Sequence, residues 1–120
     1  MAIHQYKRWD VVVLPYPLSG PAGEIGARRR PGLIVSADNL QRDYNLYWVL
    51  MITSLSGVAG KAELADVKID DWEQAGLPVA SLVRTTKILT VQARQVIRQV
   101  GTLSPADQSR VILELSRFVG

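Results

Sequence analysis

The residues of this sequence best suited to chemistry are cationic and hydroxyl-bearing. Arg28, Arg29 and Arg30 stand in a row before Pro31 and the apolar run that follows it, in "GARRRPGLIVSAD". Thr53 and Ser54 close a second apolar run, "LYWVLMITS". Arginine does not give up its proton easily, but its planar fork grips a phosphate through two hydrogen bonds. Aimed at oxygens on which charge grows in a transition state, such a fork is worth several kcal/mol. A neighbouring hydroxyl can hold a further oxygen. If the two runs are adjacent strands, Arg30 at the head of one and Thr53 and Ser54 at the end of the other could meet. On residue types alone other roles stay open. Arg30 could pair with Asp38 or Asp10, and Thr53 could be a strand former whose hydroxyl bonds a backbone carbonyl.

Much other chemistry is excluded. There is no cysteine, which rules out a disulfide framework, thiolate catalysis and cysteine-bound zinc. The single histidine, His4, lies in a terminal segment, so a two-histidine acid–base pair cannot form within one chain. No His/Asp/Glu group has metal-ligand spacing, and Asp70-Asp71 reads as a solvated turn. The glycines of "SGPAGEIG" do not precede a helix, and neither a phosphate-binding P-loop nor a G-x-S-x-G nucleophile turn occurs. Neither a metal nor a cofactor is expected.

The elements that must hold these residues fit one domain spanning 1–120, with 48% hydrophobic residues to build a core. The N-terminus has no apolar signal segment, and no apolar run reaches the roughly 18 residues of a membrane helix. A soluble, cytoplasmic protein is expected. The net charge is +3 with a pI near 9.5. Lys7, Arg8 and the three arginines cluster early, whereas six of the eleven acids lie between Glu63 and Asp107. That asymmetry favours an anionic partner at the N-terminal strands.

"WDVVVLPYP" reads as a strand ending at its prolines, and "LSGPAGEIGARRR" as a mobile surface loop of about a dozen residues. "PGLIVSAD" and "LYWVLMITS" are the next strands, joined by the polar connection "NLQRDYN". The second of them, apolar on both faces, belongs in the middle of the sheet. "AELADVKI" is a half-exposed strand, "DDWEQAGLP" a turn, "ASLVRTTKILTV" a strand pair or one bent strand, and "RQVIRQVG" a strand. The end predicts a helix with Ser104 as N-cap, Pro105 in the first position and Asp107 in the first turn. Val111, Ile112, Leu115, Phe118 and Val119 form its apolar stripe. Five to seven short strands and one terminal helix predict a mainly β fold, a small bent barrel crossed by a helix.

The order "KRWDVVVLPYP", "RRRPGLIVSAD", "WVLMITS", "SLVRTTKILTV" and "VGTLSPADQSRVILEL" resembles the MazF/PemK family of toxins from type II toxin–antitoxin modules, over nearly the whole chain. The resemblance implies an SH3-like β-barrel (the MazF/PemK/CcdB-like fold) with a C-terminal helix, assembled as a homodimer. It implies a metal-independent endoribonuclease that cuts single-stranded RNA, including mRNA, through the RNA's own 2′-hydroxyl, and that a cognate antitoxin restrains. Arg30 matches the arginine proposed to act as acid, base or both, and Thr53 the hydroxyl that stabilises the transition state. Arg28, Arg29, Ser19, Gly20, Ser54 and Lys87 are the implied RNA-binding residues, with Ser19 and Gly20 opening the loop over the RNA groove. Two departures stand out: Trp9 replaces a usual glycine, and Leu89 a usual basic residue. They motivate an alternative, a non-catalytic barrel that binds nucleic acid or protein, or a topoisomerase poison of the same fold.

Overall fold

The computed structural model describes residues 5–19, 25–58 and 60–120, with backbone only at 17–19 and 25–27. Six strands form one antiparallel sheet: β1 (Asp10–Ser19), β2 (Ile25–Ile34), β3 (Leu46–Ser54), β4 (Asp66–Lys68), β5 (Ser81–Gln92) and β6 (Arg98–Thr102). Among the described residues three α-helices accompany it, α1 (Asp38–Tyr44), the single turn α2 (Leu55–Val58) and α3 (Pro105–Val119), and a 3-10 turn at Ala93–Gln95 takes up the start of the "RQVIRQVG" segment expected as a strand. The strand order is β4-β5-β3-β2-β1-β6. The mainly β class and the C-terminal helix are as expected. The edge strands β4 and β6 do not pair, so the sheet is bent and open rather than closed into a barrel.

A turn closes that side instead of a ladder. β4 has three residues, and the chain leaves it into the "DDWEQAGLP" turn, which packs on β6. A β-carbon on Gly76, at φ +81°, would collide with the Val100 carbonyl, and one on Gly101 with the Ala75 carbonyl. Only paired glycines allow this backbone approach.

Alternation along the strands divides the core into two faces. One face gathers Val11, Leu33, Leu50, Ile52 and Val83 with Leu77 and Val111, roofed by α3. The other gathers Val12, Leu14, Tyr16, Ile34, Tyr47, Val49 and Val91. Because both faces are buried, β3 carries hydrophobes at consecutive positions, as its sequence implied.

The expected loop is shorter than its composition suggested. Tyr16 pairs with Arg28, and the ladder runs on to Ser19 opposite Ile25. Pro15 and Pro17 do not break β1, for a geometric reason. Val13 turns its carbonyl toward β6, accepting from Ile97 N–H. The two prolines share that direction, where β6 has already ended, so no ladder donor is lost. The polar connection "NLQRDYN" is helical, forming most of α1 and ending at its cap, Asn45, at φ 59°. In α3 Val111 is buried and Leu115 half-buried, while Phe118 and Val119 are exposed, so the apolar stripe is only partly covered.

Candidate functional site

Pro31 creates the site. The β2–β3 ladder runs from Ile34–Val49 to Gly32–Met51 and stops. One step further Pro31 would have to donate to β3, and proline has no N–H. The strands therefore part, and β2 continues as far as Ile25 paired to β1 alone. Extending the register by two residues sets Arg30 across the gap from Thr53; the two meet as the sequence suggested, but Arg30 lies inside β2, where its ladder with β3 has ended, and not at the head of the strand.

A cleft of about 260 Å³ occupies this gap, lined by Arg30, Met51, Thr53, Gly57, Val58, Lys61 and Arg84. Arg30, Gly32 and Ile34 share the face of Leu14 and Tyr16 by alternation, and Thr53 and Met51 that of Val49. Arg30 is half-buried, makes no ion pair among the described residues, and has its Nε buried without a partner. The pairing with Asp10 or Asp38 does not form: Asp10 accepts instead from Lys7 N–H and the Thr102 hydroxyl. Nor does the Thr53 hydroxyl bond a backbone carbonyl of the described residues. The turn α2 stacks directly on it, with Gly57 above.

The arginine run does not act as a block. A strand turns successive side chains to opposite faces, so Arg28 and Arg30 share one side and Arg29 faces the other. There Arg29 borders a larger cleft of about 550 Å³ together with Val13, Pro31, Leu77 and Arg98, which Arg30 also touches. Ser54 lies beside Thr53 but outside the cleft. Its Oγ accepts the Gly57 N–H at 3.0 Å and so holds α2 in place. Lys87 is exposed and also lies away from the cleft. It belongs to three residues of β5, Thr85–Lys87, that have no partners on β3 because the register slips between Leu50 and Met51. Ser19 ends β1, and Gly20, like His4, lies outside the described residues.

Two cleft cations escaped the reading of the sequence, Arg84 and Lys61. Arg84 faces Met51 across the β3–β5 ladder and pairs with Asp66 at 3.3 Å and Glu63 at 3.5 Å. The available signal was a charge set directly after the apolar pair Leu82-Val83 in "SLVRTT". On the same face Tyr16 is buried with its hydroxyl unpartnered, reaching Gly32, which has no side chain to block it. Burial alone pushes this phenol well above its usual value.

Among the described residues no group of three His, Asp or Glu side chains is placed to hold a metal ion, and no helix is long and apolar enough to cross a membrane.

Residues 7–119 match the family model described as "PemK-like, MazF-like toxin of type II toxin-antitoxin system". A search of curated proteins finds no match to the sequence. Among solved structures, MazF from Deinococcus radiodurans is similar with a TM-score of 0.74 at 18% identity, over 98% of this chain and 99% of that one. An endoribonuclease from a mycobacterial species, in complex with its cognate antitoxin, gives 0.72 at 17%, covering 97% and 96%. The Mycobacterium tuberculosis toxin MazF-mt6 gives 0.67 at 17%, covering 90% and 93%.

Proposed function

From its place among the PemK-like, MazF-like toxins of type II toxin–antitoxin systems, the family to which this chain belongs, we propose that the protein is a metal-independent endoribonuclease acting on single-stranded RNA, including mRNA. The observation that carries this reading is Arg30 across the Pro31 gap from Thr53, in one cleft with two further cations.

In the proposed reaction the RNA 2′-hydroxyl attacks the adjacent phosphorus. The bond from phosphorus to the 5′-oxygen breaks, leaving a 2′,3′-cyclic phosphate and a free 5′-hydroxyl. The 2′-hydroxyl must lose a proton and the 5′-oxygen must gain one. Among the described residues the cleft wall carries no imidazole and no carboxylate, so Arg30 is the group proposed to manage one or both transfers. Its fork also neutralises the charge on the phosphate oxygens as the five-coordinate transition state forms. Thr53 donates to one of those oxygens. Arg28 and Arg29, on opposite faces of β2, hold backbone phosphates of the strand as it passes, with Ser19 and Gly20 nearby in the chain. Ser54 acts through α2, and Lys87 contacts RNA from outside the cleft. Rigid strands suit this task, because geometry must hold to a fraction of an ångström.

The protein works in the cytoplasm as a homodimer, restrained by a cognate antitoxin. The mycobacterial neighbour bound to its own antitoxin supports that part. The test is incubation of purified protein with single-stranded RNA in EDTA. Wild type should leave cyclic-phosphate ends, and Arg30→Ala and Thr53→Ala should lose cleavage by a hundredfold or more, on the order seen when a transition-state donor is removed. Intact RNA with wild type, or equal cutting by Arg30→Ala, sinks the proposal.

A further inference from the structure

Three side-chain polar atoms of the described residues are buried without a hydrogen-bond partner: Tyr16 Oη, Arg30 Nε and Arg84 Nε. An unmet buried donor costs about 1–3 kcal/mol. All three project from the same face of the sheet, and both arginines line the cleft of Thr53. Such a concentration of unmet polar atoms leaves room for an acceptor from outside the described residues.

Arg84 is the one with the clearest second function. Its side chain is only 18% exposed. Nη2 donates to the Asp66 carboxylate and to the Lys61 carbonyl, each at 3.3 Å. Nη1 has only Glu63, at 3.5 Å. The two carboxylates differ in their freedom to leave. The Asp66 side chain is 4% exposed and is fixed by the Glu63 N–H at 2.7 Å. The Glu63 side chain is 44% exposed, and its 3.5 Å approach to Nη1 is an ion pair without a hydrogen bond, which holds it only loosely. The guanidinium is thus anchored by one partner and loosely covered by the other.

We propose that Arg84 is a second phosphate ligand of the cleft: an RNA backbone phosphate displaces Glu63 and takes Nη1 and Nε, while Asp66 keeps the fork aimed. The inference rests on the endoribonuclease reading above. Asp66 and Glu63 also explain how three cations stay close together before RNA arrives, since two carboxylates offset most of their charge.

The test measures binding of a short fluorescent single-stranded RNA, made uncleavable by 2′-O-methyl groups, across a range of salt. Removing Arg84 alone would strand the Asp66 charge, so the variant is Arg84→Met with Asp66→Asn. It should melt near wild type yet bind at least tenfold more weakly. The slope of log Kd against log salt should shrink by about 0.7, the value of one lost phosphate contact on a single strand. Glu63→Gln should bind severalfold more tightly. Wild-type affinity and slope in the double variant overturn the proposal. Should the double variant not fold, unchanged affinity in Glu63→Gln overturns it. Arg30→Ala run alongside separates the two readings. Weakened binding there with none in the double variant removes only the role of Arg84. RNA neither bound nor cut by wild type removes the reading beneath both.

Discussion

Gly57 lies so close above Thr53 that a β-carbon on it would stand 3.2 Å from Thr53 Oγ1 and 2.9 Å from Ser54 Oγ. The bare turn α2 therefore sets where the Thr53 hydroxyl can point. Gly57→Ala should force Ser54 Oγ off the Gly57 N–H and turn the Thr53 hydroxyl aside. Because both are small side-chain ends that can rotate, stability should change by no more than about 1 kcal/mol. RNA cleavage should fall by about tenfold or more, since small displacements of a reacting group are costly. The check is a single-turnover rate alongside a melting curve. A variant that cuts at the wild-type rate shows that Gly57 does not position Thr53.

Tyr16 gives a prediction about alkaline pH. The pKa of its phenol is raised in the folded protein by burial, and that of Tyr47 is raised too, again by burial first. The protonated phenol is therefore favoured by folding. Its contribution is fully present below the ordinary tyrosine value of about 10 and is lost as pH rises above it. Stability should fall from about pH 10 upward. Tyr16→Phe should flatten that fall and, by removing a buried hydroxyl without a partner, raise stability near neutrality by about 1 kcal/mol. Urea unfolding at pH 7 and above pH 10 decides it. A less stable Tyr16→Phe at neutral pH would mean that the hydroxyl has a partner after all.

What could be read in advance follows from which signals are local. β1, β2 and β3 announce themselves by β-branched runs, and the N-cap of α3 by Ser104, Pro105 and Asp107. Ser104 Oγ does accept the Asp107 N–H. Arg30 and Thr53 were legible because a charge or hydroxyl bordering an apolar run marks where a strand leaves the core, although for Arg30 the strand itself runs on to Ile25. α1 was not, because only Gln41 among its seven residues is buried and no apolar stripe marks it. Nor was the length of the β1–β2 hairpin, since Pro15 and Pro17 look like breakers until the direction of their missing N–H is known. Arg84 was hidden by a long-range fact, the partnership of β5 with both β3 and β4. The open edge depends on Gly76 meeting Gly101, residues 25 apart that no local pattern links.

Asp107 is more than a helix cap. It is fully buried and accepts from Asp70 N–H at 3.1 Å, Asp71 N–H at 3.0 Å and the Ser104 hydroxyl at 3.1 Å. Arg110 completes the cluster by bonding Asp107, pairing with Asp70 at 3.0 Å and donating to the Lys68 carbonyl at 2.8 Å. One carboxylate thus fastens α3 to the turn after β4. Asp107→Ala would leave two backbone donors without an acceptor and should cost about 3 kcal/mol or more. Asp107→Asn, which keeps a carbonyl, should cost less. Urea midpoints measure both, and equal losses would show that the charge rather than the acceptor geometry matters.

Trp9 separates backbone strain from packing. Its φ is 78°, in the left-handed region, where the resemblance leads one to expect glycine. The conformation is imposed from both sides, by Trp9 N–H bonding the Ile34 carbonyl at 2.7 Å and by Leu103 N–H bonding the Trp9 carbonyl at 2.9 Å. For a residue with a β-carbon this costs about 1–2 kcal/mol. The indole offsets it by packing against the core face that holds Val11 and Leu103, and by lying 4.9 Å from the Arg8 guanidinium. Trp9→Ala loses the packing and keeps the strain, whereas Trp9→Gly loses the packing and relieves the strain. Both should be less stable than wild type, with Trp9→Gly the more stable of the two by about 1 kcal/mol. Because Trp9 sits beside Ile34, four residues along β2 from Arg30, neither change should alter RNA cleavage. A selective loss of activity in both variants, with folding intact, would instead assign the indole to stacking on a base.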